Sequence, residues 1–336
     1  MRPALAAAFV ALAAAVTAAT PPAAAQGLPT IAVGAAPAKV VEVVRGPDGG
    51  PFIRTEGGRW LRPRVSIGHI SLVTAQAPPA AALPPPEGLL PQSTVAVGGR
   101  DIAAAWLAGA TDRYGHAVLG DGLEAGRLAV ETAAGERLAV DLPDAEVFED
   151  LTPRLADLDG DGRDEVLVVR SHRDVGAALV VYGVTEAGAL AEKAATPPLG
   201  LPNRWLNPVG VADLDGDGAP EVVTVETPHI GGILRVWHWR DGRLVRGASE
   251  GNVSNHAVRS PVLGLHALTD VDGDGRPDVV VPNQSRNELR IFSFADGRPR
   301  ELATVPLPGA VATAIVPVPR GLVFGSTLGD LVAISW

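Results

Sequence analysis

A chain of 336 residues, 46% of them hydrophobic, carries enough apolar surface for a sizeable core, and it has no cysteine. That excludes disulfides, thiolate metal centres and a lipid-modified N-terminal cysteine. The formal charge of −10 is localised: segments 157–165, 213–221 and 270–278 hold thirteen acids against two arginines. The remainder is close to neutral, so neither a basic patch for nucleic acid nor a broadly acidic face for a basic partner is indicated.

Residues 1–25 open with Arg2, run through an Ala-rich apolar stretch and end on Ala23-Ala-Ala25, the pattern of a cleaved signal peptide. A retained anchor is the alternative; alanine is only weakly apolar and the stretch is short. Arginine outnumbers lysine 26 to 2 beside heavy Ala, Gly and Pro use, which points to a GC-rich bacterial source. The expected location is therefore secreted or periplasmic, with no stable membrane span after cleavage.

Residues 26–75 read as a β-rich segment with strands at 30–33, 40–44, 52–55 and 65–73, separated by Gly-rich turns. Residues 76–91, rich in Ala and Pro, read as a linker or a long surface loop. The remainder, 92–336, is organised as repeats. A unit without the acidic motif described next is expected over about 100–143, and a truncated one over 310–336.

Asp157-Leu-Asp-Gly-Asp-Gly162, Asp213-Leu-Asp-Gly-Asp-Gly218 and Asp270-Val-Asp-Gly-Asp-Gly275 recur at intervals of 56 and 57 residues. A fixed period in this range marks a propeller, a solenoid or a similar array. Each copy presents alternate carboxylates, Asp157, Asp159 and Asp161, then Asp213, Asp215 and Asp217, then Asp270, Asp272 and Asp274. A further acid closes each copy, at Glu165, Glu221 and Asp278, and backbone carbonyls at Arg163, Ala219 and Pro277 complete the expected ligand sets. A hard cation takes six to eight oxygens at about 2.3–2.6 Å, so the donors point to about three structural Ca²⁺ sites. Magnesium, zinc and copper suit these donors less well, and a solvated Asp-Gly turn is the metal-free alternative. An EF-hand would place Glu twelfth, where Val168, Thr224 and Val281 stand, and would continue as helix. Instead a β-rich apolar run follows each loop.

Each acidic unit reads as strand, acidic loop, strand, polar loop, strand, turn, strand. In the second, the strands are expected at 209–212, 221–226, 233–240 and 244–248; in the third, at 263–269, 278–282, 288–294 and 301–305. With its Asp-x-Asp-Gly-Asp-Gly-x-x-Asp/Glu loops, the chain resembles the FG-GAP or VCBS-type repeats of integrin-like β-propellers, most strongly over about 150–306. The resemblance implies an all-β fold, a β-propeller of four-stranded blades. Counting units gives six blades, with five or seven open, and the strand at 30–33 would close the ring against the C-terminal blade. A solenoid is the alternative architecture.

In such a blade the acidic loops share one face, and the loops at the other strand ends share the opposite, calcium-free face. There the candidate ligand-binding residues are His172, Arg173, Asn203, Arg204, Trp205, Asn207, His229, Asn255, His256 and Arg286. By resemblance this is the partner-binding face, and its forked donors, amides and indole suit a sugar or an anionic group. The expected function is an exported, calcium-stabilised binding or scaffold module for a glycan, a small anionic ligand or a protein partner. The alternative is a propeller enzyme, a hydrolase or lyase acting on a phosphate ester or polysaccharide at the same face. No nucleophile elbow, phosphate-cradling loop or His-Glu-x-x-His occurs, and no catalytic residue is assigned. The two readings part on whether His172, His229, His256 and Arg204 line one pocket. Trp237 and Trp239 alternate along a strand and are expected to pack between blades.

Overall fold

A computed structural model describes residues 29–34, 36–79 and 85–336. The signal peptide expected over 1–25 lies outside these residues, as does 80–84 of the expected linker. The regular elements among the described residues are all strands, and no helix there is long and apolar enough to cross a membrane.

β1 (Thr30–Gly34) precedes a four-stranded antiparallel meander of β2 (Val40–Arg45), β3 (Pro51–Thr55), β4 (Trp60–Ser66) and β5 (His69–Ala75). The run 65–73, read above as one strand, is thus a hairpin in which Ser66 pairs with His69. Gly68, at φ 66°, makes the turn; a residue without Cβ takes this left-handed conformation freely.

Two further meanders follow, β6 (Ala96–Val97), β7 (Ile102–Thr111), β8 (Glu124–Thr132) and β9 (Arg137–Asp141), then, after β10 (Glu146–Phe148), β11 (Arg154–Ala156), β12 (Glu165–His172), β13 (Gly176–Val184) and β14 (Leu190–Ala195). β10 joins them into one nine-stranded sheet by pairing with β8 at Phe148↔Ala125 and with β12 at Val147↔Ser171.

The next sheet is β15 (Leu206–Ala212), β16 (Glu221–Glu226), β17 (Ile233–Arg240) and β18 (Arg243–Gly251); its successor is β19 (Ala267–Thr269), β20 (Asp278–Pro282), β21 (Glu288–Ser293) and β22 (Arg300–Pro306). β19 is shorter than the expected 263–269. Last come β23 (Val316–Val318), β24 (Gly321–Gly325) and β25 (Leu331–Ser335). Their fourth strand is β1, paired antiparallel with β25 from Thr30↔Ser335 to Gly34↔Leu331. Repeated four-stranded antiparallel sheets of this kind are consistent with a β-propeller.

The sheets stack through the period-2 alternation of their central strands. On β20 and β21, Val280 and Ile291 join a core with Phe324, Val332 and Ile334 of the β23–β25 sheet. Their neighbours Val279, Val281 and Phe292 turn the other way, onto Val223, Val225 and Val236. Val323, Leu331 and Ala333 in turn meet Val40, Val43, Ile53 and Leu61 of the first meander. Val222 and Trp237 join the core of the nine-stranded sheet, with the Trp237 indole N–H donated to Thr224 Oγ1 at 3.0 Å. Every residue of β16 is buried for this reason. At roughly 1.5–3 kcal/mol per buried large aliphatic side chain, this packing dominates the stability of the stack. The end of the 76–91 segment also joins the fold: Leu90 is buried and its N–H bonds Leu107 O.

Removing β1 would leave β25 as an open edge, a template for pairing with other chains. A chain starting at residue 36 should therefore show a lower urea midpoint and concentration-dependent association by light scattering, relative to one starting at residue 29. Identical behaviour of the two would show that β1 contributes no edge protection.

Candidate functional site

The three acidic loops connect β11 to β12, β15 to β16 and β19 to β20. In each, the first Asp caps the turn: Asp157 accepts the N–H groups of Gly160 and Gly162 at 2.8 and 3.0 Å, Asp213 those of Gly216 and Gly218 at 2.7 and 3.0 Å, and Asp270 those of Gly273 and Gly275 at 2.6 and 3.0 Å. All six glycines have positive φ, which lets the chain curl around its own carboxylates. The ninth residue ties the loop to its sheet. Glu165, Glu221 and Asp278 each begin the following strand and accept the N–H of Leu158, Leu214 or Val271 at 2.9, 2.9 and 2.8 Å.

This ladder brings carboxylate oxygens together in three groups, Asp157/Asp159/Glu165, Asp213/Asp215/Glu221 and Asp270/Asp272/Asp278, with the atoms of each group within 4.8 Å of one another. That span matches donors at opposite sides of one ion at 2.3–2.6 Å, so each group could hold a metal ion, and the all-oxygen donor set is compatible with Ca²⁺. The fifth-position acids Asp161, Asp217 and Asp274 are not in these groups; each caps the N–H two residues on, at 2.8 Å. Those N–H groups belong to Arg163, Ala219 and Arg276, so the carbonyl equivalent to Arg163 and Ala219 in the third loop is that of Arg276, not Pro277. Burial pushes the Glu165 and Glu221 carboxyls up, and that of Asp278 up to about 6. A cation would offset the cost of keeping these buried acids ionised beside their neighbours.

At the opposite strand ends the candidate ligand residues separate into two layers. Trp205, Asn207, Asn255 and His256 are buried. The two asparagines clasp each other, each Nδ2 donating to the other's backbone oxygen at 3.2 Å. His256 Nε2 lies 2.8 Å from Ser260 O and must donate there, so its Nδ1 accepts from His229 Nε2 at 2.9 Å. The His229 ring stacks on Trp205 with centroids 5.9 Å apart. Burial lowers the pKa of His229 to about 4 and that of His256 to about 3, so both are neutral near pH 7. The cation beside them is Arg286, whose Nη1 reaches Ser254 Oγ and His256 O at 3.4 Å.

The other candidates have different hydrogen-bond partners. His172 Nδ1 accepts the Asp174 N–H at 3.1 Å, and Arg173 donates to Asp144 O at 3.1 Å. Asn203 is exposed, at φ 56°, and Arg204 accepts the Ala177 N–H through its carbonyl. Of the four groups that were to decide for an enzyme, His229 and His256 meet through a hydrogen bond, while the bonds of His172 and of the Arg204 backbone run to Asp174 and Ala177.

A second set of residues escaped the sequence reading. The loop between β7 and β8 crosses to segment 252–266, with Arg259 N–H on Val118 O at 2.8 Å, and brings in Tyr114 and His116. His116 Nδ1 lies 2.6 Å from Glu149 Oε1, and Ser171 Oγ donates to Glu149 Oε2 at 2.5 Å. Trp205 donates its indole N–H to Glu149 O at 2.9 Å, linking the two sets. Burial, and then the charge of Glu149, raises Glu124 to about 7 and the Tyr114 phenol to about 12. The only clue in the sequence was the acidic pair Glu149-Asp150 directly after the apolar Val147-Phe148.

Two measurements check these assignments. Calcium should raise the melting temperature and a chelator lower it, with each site adding roughly 2.7 kcal/mol at a hundredfold excess over its Kd. Asp215→Asn should remove one site's share and leave the others titratable; a melt indifferent to calcium would contradict the assignment. Second, His256 and His266, both lowered to about 3 by burial, stay neutral in the fold while the unfolded chain protonates below about 6.5. Their contribution is thus fully present above pH 6.5 and is lost as pH falls towards 3, roughly 2 kcal/mol for each at pH 5. Because Glu124, raised to about 7, gains stability over the same range, the readout is the difference between variants by urea unfolding: in saturating calcium, His256→Gln should lose less stability than the wild type from pH 7 to 5, and an identical change in the two would contradict a neutral His256 in the fold.

An FG-GAP-like repeat family model matches residues 153–224, from the strand before the first acidic loop to the middle of β16. No curated protein matches the chain. The matched span contains the first two acidic loops, and the same hydrogen-bond ladder recurs in a third at 270–278. The chain thus contains an FG-GAP-type repeat over residues 153–224.

Proposed function

We propose that this protein is an exported, six-bladed β-propeller whose acidic loops hold calcium at one face and whose opposite face binds a ligand. In this reading residues 1–25 are removed on export, 26–75 supply the closing strand β1 and the blade β2–β5, 76–91 connect, and 92–336 supply the rest. The nine-stranded sheet counts as two blades, β6–β9 and β11–β14, and pairing of β1 with β25 closes the ring. Closure by strands from both chain ends removes sheet edges. The observation that carries the calcium reading is the ladder repeated in three loops, each converging three carboxylates.

The ligand is a glycan, a small anionic molecule or a protein partner presenting such a group. His229 and Arg286 are the half-buried residues best placed to meet it: a neutral imidazole whose Nδ1 is left as an acceptor, beside a guanidinium. Trp205, Asn207, Asn255 and His256 act beneath them as the rigid support that holds this pair in place. Binding is favoured over catalysis at this pair because His256 is buried and hydrogen-bonded at both ring nitrogens, which keeps it from meeting a substrate directly.

A glycan and anion array probed with the full mature chain, with and without calcium, tests the reading. Retention on one class of ligand is expected, reduced at least tenfold by His229→Ala with Arg286→Ala at unchanged melting temperature. Undiminished retention by that double variant would exclude this face, and no retention on any class would contradict a glycan or anion binder.

A further inference from the structure

The three acidic loops share one hydrogen-bond ladder, but the space behind the ninth acid is filled differently in each. In the first unit Glu165 stands opposite Gly183 on β13, one step beyond the Val166↔Tyr182 pair. In the second, Glu221 stands opposite His238; in the third, one step beyond Val279↔Phe292, Asp278 stands opposite Ser293. The fourth strand carries a bulge beside each of these positions. The residue that follows the partner of Tyr182, Trp237 or Phe292 is Lys193, Gly247 or Leu302. Side chain and space are exchanged between units. A Cβ on Gly183 would come within 2.7 Å of Lys193 Cε, and one on Gly247 within 2.5 Å of His238 Nε2.

Lys193, one of two lysines in the chain, therefore reaches over a glycine to the first acidic group. Its Nζ lies 2.5 Å from Glu165 Oε1 and 3.7 Å from Asp159 Oδ2. Both acids belong to the first metal-holding group, so a tethered ammonium already occupies one of its carboxylates. In the second group the corresponding contact is an imidazole nitrogen, His238 Nδ1, 3.3 Å from Glu221 Oε1. In the third, Arg300 touches Asp272 from the rim at 3.1 Å, and Leu302 places no charge beside Asp278.

We infer that Lys193 makes the first loop an internally neutralised site, the weakest of the three for a divalent cation and the one that keeps its shape without one. An ion entering there must displace the ammonium from Glu165 or share its field, whereas the other two loops offer their ninth acid free of a fixed positive charge. The inference rests on the cation reading of the loops. It also supplies a reason for a lysine in a chain with 26 arginines and only two lysines: a compact point charge fits beside two carboxylates where a planar fork would not.

Calcium calorimetry on the full mature chain tests it. The wild type should show two tight sites and one at least tenfold weaker. Asp157→Asn should remove the weak site, while Asp213→Asn and Asp270→Asn should each remove a tight one; this series leaves Lys193 untouched. Lys193→Met should strengthen the weak site at least tenfold, leave the other two unchanged, and lower the melting temperature in chelator more than in calcium. Three equal wild-type sites, or loss of a tight site in Asp157→Asn, would overturn the role of Lys193 while the cation reading stands. No calcium uptake by any variant would overturn both.

Discussion

Several carboxylates gathered within the span of one cation's coordination shell set the terms for this fold. Two such groups about 5 Å apart repel by roughly 3 kcal/mol at an effective dielectric near 20, and each loop holds several pairs. The chain places one member of each group at the first residue of a buried strand, Glu165, Glu221 or Asp278, where burial already raises its pKa. The charge is thereby fixed to the sheet and cannot relax into solvent. A divalent ion would convert this strain into a tie between loop and strand, and in the first loop the Lys193 ammonium already sits 2.5 Å from Glu165.

The sheets supply the frame that makes the arrangement repeat. Alternating valine, isoleucine and phenylalanine side chains on β16, β20, β21, β24 and β25 pack the sheets that carry these strands against a neighbour on either side. Every acidic loop consequently leaves its sheet at the same end, and the polar loops leave at the other. The opposite end is held by a different chemistry: neutral imidazoles, an asparagine clasp and a carboxylate shared by His116 and Ser171.

Legibility in the sequence followed the motif. Where an acidic loop and an Asp-Gly turn punctuate a unit, strands such as Glu221–Glu226 and Ile233–Arg240 were readable to the residue. Outside the motif the reading blurred. The 65–73 run concealed a turn at Gly68, and β10 was missed because its three residues gain their meaning from partners on β8 and β12. The metal groups were legible as residue types, but not the withdrawal of Asp161, Asp217 and Asp274 into capping bonds, which depends on the path of the loop. On the other face, Trp205 and His256 were found by type, but nothing in their spacing announced that both are buried. His116 and Glu149, 33 residues apart, meet only through the tertiary fold, and no spacing rule announces them.

The central claim is that each carboxylate group encloses one divalent ion. Anomalous diffraction from crystals grown in calcium tests it most directly. The account predicts three peaks, one within each of Asp157/Asp159/Glu165, Asp213/Asp215/Glu221 and Asp270/Asp272/Asp278, the first of lowest occupancy at limiting calcium. Loops that keep their ladder with no peak at saturating calcium, or peaks that fall elsewhere on the surface, would contradict it.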